Sequence, residues 1–111
     1  LKSEGKQLRS YCYTLDCATA ILMVLFFGKP ATAYNISNHN SIISIKQLAE
    51  LYAKVGNVNL KFDLPTEIEK SAFNPMDNSS LDGEKLEGLG WKGLFDAKIG
   101  ASHTVAVLKG E

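Results

Sequence analysis

The chain has 111 residues and a mass of 12.1 kDa, with 12 basic and 12 acidic side chains, 45% hydrophobic residues and a sequence pI near 6.9. A zero formal charge with no basic run leaves no electrostatic footprint for DNA or RNA, so no nucleic-acid partner is expected. The longest apolar run, Ala18 to Phe27, would span about 15 Å as a helix, half of a bilayer core, so no membrane span is expected either.

Arg9 to Leu15 is dense in β-preferring residues, with Tyr11 and Tyr13 on one face, and predicts a short strand. Asp16 then reads as an N-cap. Ala18, Ile21, Leu22, Leu25 and Phe26 keep helical spacing with further apolar residues all round, which predicts a helix buried on more than one side. Gly28, Lys29 and Pro30 end it. Ala33 to Ile36 is a four-residue strand candidate running into the polar turn Ser37 to Asn40.

Ser44 and Gln47 form a capping box, after which Ile45, Leu48, Ala49, Tyr52 and Val55 make the apolar stripe of a second helix closed by Gly56. Val58, Leu60 and Phe62 alternate strictly and predict a half-buried strand over 57–63. Residues 66–80 are polar and aperiodic and read as a loop or a region ordered only by contacts elsewhere. Asp82 should cap a short helix carrying Leu86 and Leu89, with Gly90 closing it and Trp91 in need of a place to bury. Asp96 begins a last helix with Ile99, Val105 and Leu108 as inward candidates. Strands alternating with helices argue for one α/β domain, a small sheet with flanking helices. About two-thirds of its unfolded surface should be buried on folding.

Chemistry is sparse along this chain. Cys12 and Cys17 are too few and wrongly spaced for a disulfide scaffold, a redox pair or a zinc knuckle, which favours a reducing, cytoplasmic setting. Lys2, Lys6 and Arg9 before an apolar stretch ending at Ala31-Thr32-Ala33 imitate a signal peptide, but Glu4 and Asp16 do not suit its regions. Gly88-Leu89-Gly90-Trp91-Lys92-Gly93 fits G-x-G-x-x-G, yet it follows a helix where a dinucleotide fingerprint needs a strand before it, so it reads as a C-cap and turn. His39 and His103 have no acid or cysteine at metal-ligand spacing, and no G-x-S-x-G occurs. Arg9 is the charge of most interest: its planar fork suits a phosphate or carboxylate, and its alternative is an exposed strand-end arginine.

The segment Arg9-Ser10-Tyr11-Cys12-Tyr13-Thr14-Leu15-Asp16 resembles the R-x-[FY]-x-[YH]-V-x-D segment of the NAD-dependent epimerase/dehydratase family, the extended short-chain dehydrogenases/reductases. Ala33 to Ser37 is similar to the family's "YNI" strand and Ser44 to Glu50 to its helix start. Asp82 to Trp91 resembles D-x-x-K-[AL]-x-x-L-G-W, and Gly100 with Thr104-Val105 fits its last helix, so the similarity covers nearly the whole chain in order.

The resemblance implies the C-terminal, substrate-binding portion of a nucleotide-sugar epimerase or dehydratase, residues 1–111 forming that single domain without the N-terminal Rossmann domain. No G-x-x-G-x-x-G opens the chain, and four residues after Tyr11, Tyr13, Tyr34 and Tyr52 stand Leu15, Cys17, Asn38 and Gly56, so no Tyr-x-x-x-Lys occurs. The fragment itself is therefore expected to bind no cofactor and to be inactive alone, NAD(P) belonging to the full-length parent. By the same resemblance Arg9 would reach the diphosphate of a nucleotide sugar, with Lys70 the nearest basic candidate for a second phosphate contact, as a point charge lacking the fork. Apolar surface facing the missing domain would allow a homodimer of the fragment. The alternative is a stand-alone α/β interaction module without enzymatic activity. Epimerase, dehydratase and reductase chemistry are not distinguished by these residues.

Overall fold

In the computed structural model, which describes residues 1–111, the chain runs through β1 (Leu8–Ser10), α1 (Thr14–Phe27), a 3₁₀ turn (His39–Ser41), β2 (Ile42–Ser44), α2 (Ile45–Gly56), α3 (Glu67–Ser71), α4 (Glu84–Glu87) and α5 (Ala97–Lys109). β1 and β2 pair antiparallel, with Arg9 opposite Ile43. The other edge of β1 is taken by residues 77–79, where Leu8 N–H donates to the Asp77 carbonyl at 2.7 Å and Ser79 N–H to the Leu8 carbonyl at 3.2 Å. The α/β class expected from the alternation holds, with a small two-stranded sheet and flanking helices.

The chain leaves the sheet at Ser10, five residues earlier than the predicted strand ends. Tyr13, in extended conformation, is the residue that caps α1, so Asp16 is not the N-cap. Asp16 lies in the first turn, 1% exposed, and its two carboxylate oxygens accept the backbone N–H groups of Leu94 and Phe95, each at 2.9 Å. A carboxylate at a helix N-terminus that takes two amide donors is doubly favoured, by the helix dipole and by charge-assisted bonds.

The helix ends at Phe27, before Gly28 and Pro30, as expected. It is not buried all round. Ala20 is fully buried, but Leu25 and Phe26 are 72% and 71% exposed, with Ile21, Leu22 and Phe27 also more than half exposed. Ala20, Leu86 and Trp91 form the core, with Met23, Val24, Tyr34, Ile36 and Leu89 packed around them. The Trp91 indole N–H donates to Thr19 Oγ1 at 3.1 Å.

The Ser44–Gln47 capping box is formed, and α2 runs through Gly56 to Asn57, whose left-handed conformation closes it. Two predicted strands do not form. Ala33–Ile36 makes no backbone–backbone hydrogen bond, and 57–63 is bonded across only to Leu1, whose ammonium donates to the Lys61 carbonyl and whose carbonyl accepts the Asp63 N–H. Strand propensity is realised only against a second strand edge, and 33–36 meets none while 57–63 meets only the one residue Leu1. Within the expected loop 66–80, Thr66 and Glu69 make a second capping box and start α3, a signal the T-x-x-E spacing already carried. Gly83 is the N-cap residue of α4, while Asp82 Oδ1 accepts the Glu84 N–H at 2.8 Å.

Asp96 caps α5 by accepting the Ile99 N–H. The buried residues of α5 are Gly100 and Ala101; Ile99 and Leu108 point outward, against expectation. Small residues here let α5 approach closely: a Cβ at Gly100 would lie 2.9 Å from the Tyr13 ring. The chain is a slab of 46 × 38 × 18 Å with a radius of gyration of 16.2 Å, against about 13 Å for a compact globule of this length. Its accessible surface of 7757 Å² exceeds the roughly 6,000 Å² of a compact monomer of this mass. Folding thus buries a little over half of the unfolded surface, less than the two-thirds expected.

Replacing Asp16 with Ala leaves the part-buried N–H groups of Leu94 and Phe95 without their acceptor, and should cost about 3 kcal/mol in urea unfolding monitored by Trp91 fluorescence. A loss under about 0.5 kcal/mol would show that water replaces the carboxylate.

Candidate functional site

Arg9 is the middle residue of β1, between β2 and the segment 77–79, and is half-buried. Its Nη1 donates to the carbonyls of Leu8 at 2.7 Å and Met76 at 3.3 Å, and its Nη2 to Gln7 Oε1 at 2.9 Å. All three acceptors are neutral, and no carboxylate lies within ion-pair distance of Arg9, whereas Lys2, Lys6, Lys46 and Lys70 all have acidic partners. The segment beyond it is polar and self-braced. Asn74 Oδ1 accepts the Met76 N–H, Asn78 Oδ1 accepts the Ser80 N–H and hydroxyl, and Ser10 Oγ accepts the Leu81 N–H.

Lys70 sits on α3, exposed, with Nζ 2.7 Å from Glu67 Oε1 one turn back. It shares no hydrogen-bond partner with Arg9. Of the residues that surround the guanidinium, Gln7 carries no mark in the sequence and 74–78 reads only as part of the 66–80 loop, since nothing local marks a segment nearly 70 residues away as the neighbour of β1.

A second feature is a cleft of about 330 Å³ between the start of α1, α2 and α5, lined by Tyr11, Cys12, Tyr13, Leu48, Tyr52 and Thr104 among others. The Tyr13 hydroxyl bonds His103 Nδ1 at 2.5 Å, and Tyr13, Phe95 and His103 cluster. Burial raises the Tyr11 phenol, an effect the Arg9 charge opposes. Burial also pushes the Cys12 thiol up to about 11, with Cys17 and Asp16 adding like-charge repulsion. His39 pairs with Glu87 at 2.6 Å on the surface.

Gly88 caps α4, Gly90 turns the chain at φ +97°, and the run leads into no helix: the next begins only at Ala97, beyond the Leu94 and Phe95 amides that bond Asp16. The glycines follow a helix and open none, so no helix N-terminus stands over them to meet a pyrophosphate and these residues do not fit a dinucleotide. No three His, Cys, Asp or Glu side chains come together as a cation site. No helix is long and apolar enough to cross a membrane.

Cys12 should react with iodoacetamide far more slowly than Cys17 at pH 8, read by mass spectrometry of the labelled peptides. Because the folded thiol titrates above its ordinary value of 9.0, unfolding releases a proton between pH 9 and about 11; stability is therefore expected to be level below pH 9 and to fall across that window. A Cys12→Ser variant should lack that fall. Equal labelling of both cysteines would contradict a raised Cys12 thiol.

No protein-family model matches the chain. In sequence it is 31% identical over 108 residues to human dTDP-D-glucose 4,6-dehydratase, covering 95% of this chain and 31% of that protein. In fold it aligns with dTDP-glucose 4,6-dehydratase of Bacillus anthracis, determined with NAD, at a TM-score of 0.80 and 16% identity, over 100% of this chain and 34% of that one. It aligns with UDP-glucose 4-epimerase of Bifidobacterium longum, determined with NAD+ and UDP, at a TM-score of 0.77 and 18% identity, over 97% and 32%. The chain spans about a third of the length of the curated dTDP-D-glucose dehydratases it matches.

Proposed function

We propose that this chain, whose homologues are dTDP-glucose and UDP-glucose 4,6-dehydratases and whose fold neighbours are members of the NAD-dependent epimerase/dehydratase family, is the substrate-binding C-terminal domain of such an enzyme. Residues 1–111 would form that one unit, binding the diphosphate of a nucleotide sugar through Arg9. The observation that carries this reading is the guanidinium of Arg9, half-buried, held by three neutral acceptors and facing no carboxylate. A positive charge so placed is stabilised by an anion, and the fork is the group that meets two phosphate oxygens at once.

In this reading the domain orients the substrate by gripping its non-reacting end, and remote binding of that kind holds the sugar for reaction elsewhere. The acid–base groups and the NAD(P) that supplies hydride chemistry belong to the remainder of the enzyme, and the domain alone is inactive. Lys70 is a second phosphate contact only if it leaves Glu67. We assign the intact protein to the cytoplasm, with both thiols reduced. The excess surface supports a unit that completes its packing against further polypeptide: Ile21, Leu22, Leu25, Phe26 and Phe27 on α1, beside the unpaired backbone of 33–36, would be the docking seam.

Titrating the ¹⁵N-labelled chain at low salt with UDP or dTDP should shift amides of residues 8–10 and 74–81, and Arg9→Ala should abolish those shifts. Identical shifts in the variant, or none at millimolar nucleotide, would overturn Arg9 as the anion contact. The free chain should also self-associate through α1. Sedimentation velocity at about 100 µM is expected to show a dimer fraction that the double change Leu25→Glu with Phe26→Glu removes. An unchanged distribution would mean that α1 is not the sticking face.

A further inference from the structure

We propose that Gln7 is a positioning residue for Arg9, fixing the guanidinium in the plane in which it receives a nucleoside diphosphate. This rests on the reading of Arg9 given above and adds the device that aims it. Gln7 and Arg9 are two residues apart at the start of β1, so in extended backbone their side chains leave on the same side. The Gln7 backbone is itself anchored, its carbonyl accepting the Ile45 N–H at 3.1 Å. Its amide bonds in two directions: Oε1 accepts from Arg9 Nη2 at 2.9 Å, and Nε2 donates to the Asn74 carbonyl at 2.7 Å. One side chain therefore ties Arg9 to the segment whose next carbonyl but one, that of Met76, takes an Arg9 Nη1 donor.

A guanidinium has five N–H donors. The Leu8 and Met76 carbonyls take two on Nη1 and Gln7 takes one on Nη2, leaving Nε–H and one Nη2–H on neighbouring nitrogens. Two donors on adjacent nitrogens of a fixed plane are what a phosphate needs for a two-point grip. The neutrality of Gln7 matters as much as its geometry. A glutamate would still offer an acceptor to Arg9 Nη2 but would lose the donor to the Asn74 carbonyl and cancel the charge, so an incoming diphosphate would meet an ion pair already formed.

The test compares the unaltered chain with Gln7→Met, Gln7→Glu and Arg9→Ala, using UDP and inorganic pyrophosphate as probes. Binding is read by NMR titration, and rotation of the guanidinium by the ¹⁵N side-chain signals of Arg9 without ligand. Gln7→Met should average the Arg9 Nη signals that the unaltered chain keeps distinct and weaken both probes about tenfold, the loss of one hydrogen bond to a charged group. Gln7→Glu should keep Arg9 immobile yet weaken both probes more than Gln7→Met does, a split that a merely structural Gln7 would not produce. If both Gln7 variants bind like the unaltered chain while Arg9→Ala does not, the inference about Gln7 falls and the reading of Arg9 stands. If Arg9→Ala binds like the unaltered chain, the reading falls and takes the inference with it.

Discussion

The carboxylate of Asp16 is the pin on which the arrangement of this chain turns. It fastens the first turn of α1 to the amides of Leu94 and Phe95, 78 and 79 residues further on. Those two amides lie between Trp91, which fills the core against Ala20, and Asp96, which caps α5. One acid therefore sets where Trp91 enters and where α5 starts, and with α5 the approach of Gly100 to Tyr13. Being almost wholly buried, the carboxylate is tolerable only because both oxygens are met; the same bonds that satisfy it close the fold.

What the sequence made legible was what is decided within a few residues. The Ser44–Gln47 box, the Asp96 cap and the stop at Gly28–Pro30 are local exchanges between a side chain and the next turn of backbone, and they formed as read. Asp16 has the right chemistry for a cap and was misread because its true donors come from the other end of the chain. The strands at 33–36 and 57–63 have the composition of strands, but pairing is a property of two segments and cannot be read from one. Helix α1 was misread for a related reason: apolar residues on every side say that burial is needed without saying which polypeptide provides it.

The candidate site divides in the same way. Arg9 stood out from the sequence as a planar cation beside an apolar segment. Its setting did not, because Gln7 and the carbonyl of Met76 acquire meaning only when residues 74–78 lie along β1. Lys70 is the nearest base before the Asp82–Lys85 segment, and the structure gives it Glu67 for company on the same helical turn. Such exposed i,i+3 pairs are weak and form from residue spacing alone.

The extended segment at 33–36 has a consequence for recognition. Tyr34 and Ile36 face the core beside Trp91, while Ala33 and Asn35 point away, so the alternation of the segment is already fixed although its backbone is bonded to no other. A strand joining this edge would have its own faces set in turn, because a slip by one residue would turn the incoming strand's side chains to the opposite faces while Tyr34 and Ile36 stay packed. The segment thus acts as a ruler rather than as an adhesive. It sets the register of whatever pairs with it before the two backbones meet.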